Sequence, residues 1–124
     1  MTYHVDRFYA AVAMLAGDGH IKQRLIRAYQ DNLSDIDADE LPVAIQEPFA
    51  DLRRQMYGVA PANGEGPIRA TVRKMSGGEA GECGVKILAL YTEMLRQLDD
   101  VQGTLPVSND DQPVVPPFLV KSVS

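Results

Sequence analysis

The apolar residues Ala80, Cys83, Ile87, Leu90, Met94 and Leu98 recur at steps of three and four. An α-helix turns once every 3.6 residues, so this spacing gathers all six on one side of a single helix. Ser76 with Glu79 three residues later forms a capping box: each side chain can accept a hydrogen bond from the other's backbone amide, which fixes where that helix begins. A long helix with one apolar stripe must bury it against neighbours, and the rest of the chain has to supply them.

Four shorter series of the same kind precede it. Val5, Phe8, Val12 and Leu15 share one face of a first helix, which Gly17 is expected to close in the left-handed conformation. Asp18 is then placed to cap a second helix running from about residue 19 to 35, with Ile21, Leu25, Ala28, Tyr29 and Leu33 on one side. Asp35, Asp37, Asp39 and Glu40 precede Leu41-Pro42, as suits the positive end of a third helix bearing Ile45, Phe49, Leu52 and Met56. Pro48 lies inside that helix and predicts a kink or a restart near Glu47, because it has no amide to donate and crowds the carbonyl of Ala44. Residues 58–66 read as a loop. Pro67 opens a short fourth helix with Ile68, Val72 and Met75 on one face. In the fifth helix Gly77 and Gly78 predict loose first turns and Gly84 a close approach by another backbone.

The pattern predicts an all-α fold: a small irregular bundle of four to five helices over residues 1–98, with the fifth central and the hairpin of the first two packed on it. Residues 99–124 contain Pro106, Pro113, Pro116 and Pro117 and read as an extended C-terminal tail outside that bundle.

Cys83 is the only cysteine, which excludes an intramolecular disulfide, and the first residues lack the basic and apolar regions of a signal peptide. With no apolar run approaching the ~20 residues of a membrane span, a cytoplasmic setting is expected. The net charge of −5, from 17 acids against 12 bases, argues against a wholly basic nucleic-acid-binding body.

No cofactor or metal is expected, since His4, His20 and Cys83 show no metal-ligand spacing. His20 reads as an exposed first-turn residue and Cys83 as a small buried hydrophobe. Lys22 and Asn32 fall on the apolar side of the second helix, so Lys22 is expected to snorkel and Asn32 to bond a backbone carbonyl, with burial at an oligomer interface as the alternative.

Two regions could carry a contact. Val114, Val115, Phe118 and Leu119 form an apolar, proline-stiffened segment that fits a groove on the protein itself, a second copy or another protein. Arg53, Arg54, Arg69, Arg73 and Lys74 form a basic edge that could meet an anion or nucleic acid, or pair with the Asp35–Glu40 run or the tail. The first expectation is therefore a non-enzymatic interaction or accessory protein with a protein partner or homo-oligomer. A nucleic-acid-binding factor using the basic edge is an alternative. An enzyme remains a third, and requires polar groups converging around Lys22, Asn32 or His20.

Overall fold

The computed structural model describes residues 2–61 and 64–103. Five α-helices follow one another: α1 (Thr2–Leu15), α2 (Ile21–Asn32), α3 (Val43–Met56), α4 (Pro67–Lys74) and α5 (Gly77–Gly103), with a 3-10 turn at Ala38–Glu40. The protein is an all-α bundle, with no strand among the described residues. The apolar series read from the sequence meet in one core, which includes Phe8, Leu25, Tyr29, Ile45, Phe49, Leu52, Val72, Cys83, Ile87 and Met94. α5 packs on α1, α2 and α3, and the α1–α2 hairpin lies against it.

The capping box forms as the sequence predicts. The Glu79 amide donates to Ser76 Oγ at 3.0 Å and the Ser76 amide to Glu79 Oε1 at 2.8 Å. No backbone closes on Gly84: an added Cβ there would meet a methyl of the Leu15 side chain at 3.4 Å, an ordinary van der Waals contact. Asn32 donates from Nδ2 to the Ala28 carbonyl at 3.2 Å, so its amide is buried with a partner.

Other local expectations give way. The left-handed glycine between α1 and α2 is Gly19, with φ of 101°, and not Gly17. The carbonyl of Leu15 at the end of α1 is instead met by Arg24 Nη1 at 2.5 Å, and Arg24 Nε reaches the Gly19 carbonyl at 2.9 Å. A cation at the carboxyl end of a helix thus does what a left-handed closing residue would have done. Because the chain turns at Gly19, the N-cap of α2 is His20, which offers no side-chain bond, and Asp18 lies too early to cap. α2 ends at Asn32 rather than near residue 35. α3 is one helix through Pro48, which excludes the restart at Glu47 of the two outcomes expected there; helical bonds on either side carry it across the one bond that proline deletes.

The fifth helix also continues beyond the last residue of its apolar stripe, from Leu98 to Gly103. A helix that is already propagating gains one backbone bond for each residue it adds, whatever the side chain. Val114, Val115, Phe118 and Leu119 lie outside the described residues.

Candidate functional site

The basic residues singled out by the sequence are placed first by their partners. Arg53 donates from Nη1 to the Ser34 carbonyl at 3.1 Å, just past the end of α2, and its guanidinium stacks 4.6 Å from the centroid of the Tyr57 ring. Arg54 pairs with Asp51 one turn earlier. Arg73 makes a two-pronged pair with Glu65, which holds its pKa above the usual arginine value. Arg69 and Lys74 are exposed on α4 and form no ion pair among the described residues.

Lys22 does not merely snorkel. Its Nζ donates to the carbonyl of Arg73 at 3.2 Å, in the last turn of α4. Arg24, Lys22 and Arg53 therefore meet the carboxyl ends of α1, α4 and α2, where helix dipoles favour positive charge. Arg53 and Arg73 are anchored at opposite ends of α2, at Ser34 and Lys22, about 18 Å apart by the helical rise. The acidic run pairs with α1 instead of with the basic edge: Arg7 Nη2 lies 2.6 Å from Asp35, and His4 Nε2 lies 3.1 Å from Glu40.

The polar residues proposed for a catalytic centre do not meet either. Lys22 is bonded to α4, Asn32 to its own helix, and His20 is exposed at the start of α2. Burial raises the pKa of the Cys83 thiol, more than nearby Lys86 lowers it, so Cys83 is a neutral core residue and no thiolate nucleophile. Among the described residues no group of three or more His, Cys, Asp or Glu side chains is placed to hold a metal ion.

One core group has a measurable consequence. The Tyr29 hydroxyl is buried without a hydrogen-bond partner. Its pKa is pushed up from 10.0 to about 12, first by burial and then by Tyr57; Arg53, close by but out of hydrogen-bonding geometry, opposes the shift. The folded chain holds this proton more tightly than the unfolded chain. Its contribution to stability is therefore present below pH 10 and lost as pH rises toward 12, by up to about 2.5 kcal/mol. Tyr29→Phe removes this alkaline loss and is neutral to about 1 kcal/mol stabilising at pH 7, since it deletes an unsatisfied buried group. Urea unfolding followed by circular dichroism between pH 8 and 11.5 checks this. Identical alkaline limbs in the two proteins would contradict it.

Two grooves flank α5. Between α3 and α5 lies a groove of about 330 Å³ floored by Ile45, Leu52 and Leu90. The charged groups at its rim are already engaged: Asp51 with Arg54, Lys86 with Gln55, and Glu93 with Arg96. Between α1 and α5 lies a second groove of about 280 Å³, lined by Val12, Leu15, Ala16, Ile21, Gly81, Gly84, Val85 and Leu88. Every one of these residues is apolar or glycine.

The α1/α5 groove belongs to a wider face. α5 carries a second series, Gly81, Val85, Leu88, Thr92 and Leu95, at steps of four, three, four and three. By the helical turn this series lies roughly 140° around from the buried stripe. Val85, Leu88 and Leu95 are 64%, 48% and 38% exposed. α1 runs antiparallel beside it, with Leu15 against Gly84 and the Tyr9 ring centroid 6.1 Å from that of Tyr91. Tyr9, 59% exposed, extends the apolar surface across both helices. Gly81 and Gly84 leave the groove open between the two helices, and at Gly84 an added Cβ would make only an ordinary van der Waals contact with Leu15.

The sequence reading did not single out this face. Its signal is a second step-of-three-and-four series interleaved with the first, partly hidden because Gly81 and Thr92 hold two of its five places.

No protein-family model, curated protein or solved structure matches this chain. No helix among the described residues is long and apolar enough to cross a membrane.

Proposed function

We propose that this chain is a non-enzymatic interaction or accessory protein whose contact surface is the α1/α5 face. One observation carries the reading: of the seven large apolar residues exposed on the described structure, Tyr9, Val85, Leu88 and Leu95 lie together on this face. Single apolar residues on a surface are ordinary, whereas a contiguous patch costs solubility and marks a contact. The nucleic-acid alternative has less support, because Arg53, Arg54 and Arg73 already have partners within the fold.

A benzophenone side chain placed at position 88 tests this reading. It is expected to form covalent adducts with polypeptide in cells that express the chain naturally. Val85→Glu together with Leu95→Glu should abolish those adducts. The same group at position 69, on the basic edge, should yield few. Adducts with nucleic acid from position 69 and none with polypeptide from position 88 would overturn the proposal.

A further inference from the structure

We propose that the partner on the α1/α5 face is a second copy of this chain, with the two α5 helices packed antiparallel. The inference rests on the reading of that face as a contact surface. Its ground is the match between the apolar seam and the charges beside it.

Gly81, Val85, Leu88, Thr92 and Leu95 repeat at an average of 3.5 residues, the spacing that keeps a seam facing another helix along its length. From Gly81 to Leu95 the seam spans about 21 Å. Thr92 does not spoil it: its hydroxyl already donates to the Leu88 carbonyl at 2.9 Å, so the side chain presents its methyl group without an unmet donor.

The flanking charges choose the orientation. Glu82 and Arg96 are exposed, and each directly follows a seam residue, at opposite ends of the seam. Glu82 forms no ion pair among the described residues, and Arg96 has only an i,i+3 contact with Glu93 at 3.4 Å. An antiparallel copy centred near Leu90 sets Val85 against the partner's Leu95 and Leu88 against the partner's Thr92. It brings Glu82 beside the partner's Arg96, and by the two-fold symmetry this pair forms twice. A parallel copy gains neither pair and brings Asp99, next in the seam series, against its own equivalent. On the other side of the seam the antiparallel arrangement brings Tyr91 near its own equivalent, beside Tyr9. The Tyr9–Tyr91 contact thereby becomes part of a four-helix layer.

Sedimentation equilibrium of the full chain at low salt provides the test, with Glu82→Arg, Arg96→Glu and the double reversal compared to the unaltered protein. All of these positions are exposed, and unchanged circular dichroism confirms folding. The unaltered chain is expected to form dimers, and each single reversal to weaken dimerisation by on the order of tenfold, since attraction becomes repulsion at two places. The double reversal restores the pair with its signs exchanged and should return the dissociation constant close to its original value.

A chain that stays monomeric at hundreds of micromolar overturns the inference. So does a dimer indifferent to the single reversals, or one that the double reversal fails to rescue. If the full chain is monomeric and Phe118→Asp with Leu119→Asp makes it dimerise, residues of its own tail occupy the face and the inference likewise falls. Failure of the second-copy inference is separable from failure of the surface itself. Position 88 adducts with a different polypeptide preserve the contact surface, and their absence removes both.

Discussion

Phe49→Ala lowers the unfolding free energy by about 3–5 kcal/mol, near the top of the range for a single buried residue. Phe49 is fully buried on α3, and its ring meets that of Phe8 on α1 with centroids 5.7 Å apart. The backbones of α1 and α3 scarcely approach each other, so these two rings fill the space between the helices. Removing one leaves a gap that neither helix can close without losing its other contacts, those of α1 with α2 and α5 and those of α3 with α4 and α5. Domains of this kind have only about 5–15 kcal/mol of stability in total, so the variant should be substantially weakened and partly unfolded at moderate temperature. A urea titration followed at 222 nm should show a lower midpoint with unchanged slope. A loss below 1 kcal/mol would mean that the core collapses around the site and that the ring pair does not join the two helices.

Val85→Glu with Leu88→Glu should have the opposite profile. Both residues are on α5, as Ile87 is, but Ile87 is fully buried while Val85 and Leu88 face outward. The double substitution is expected to change the stability of the monomer by only about 0.5 kcal/mol per residue, because neither side chain leaves the core. Its effect on association should be large. Two carboxylates placed on an apolar seam must be desolvated without a partner, which costs on the order of 100-fold or more in affinity. Unfolding curves and solution mass measured on the same samples separate the two effects. A destabilised variant would place Val85 and Leu88 within the core. A stable variant with unchanged association would remove them from the contact surface.

Much of the architecture is legible in the sequence, because helical periodicity and capping are local. Ser76, Glu79 and Pro67 each mark a helix start through a bond made, or not needed, within one turn, and the structure places those starts accordingly. One misreading has a long-range cause. Arg24 supplies from α2 the cap that Gly17 was expected to provide within α1. Pro48 is a local case, in which the helical bonds on either side carry α3 across the one bond that proline deletes.

The basic edge looks like a binding feature when charges are counted along the chain. In space, Arg53 is spent on a helix end, Arg54 on Asp51 and Arg73 on Glu65. The α1/α5 face is the complement of that case. Val85, Leu88 and Leu95 are ordinary apolar residues in an apolar helix, and the positions of α1, α2 and α3 decide which of the two stripes on α5 is buried.

The most direct measurement uses two tyrosines of one helix. Tyr3 and Tyr9 are almost equally exposed on the isolated chain, 60% and 59%, and they point to different sides of α1. Hydroxyl-radical oxidation of the full chain, read residue by residue by mass spectrometry at low and high protein concentration, compares them under identical conditions. If the α1/α5 face is a contact surface occupied by a second copy, Tyr9 becomes protected together with Leu88 and Leu95 as concentration rises, and Tyr3 stays reactive. Equal oxidation of Tyr3 and Tyr9 at every concentration, with Leu88 and Leu95 reacting in proportion to their exposure, would contradict it.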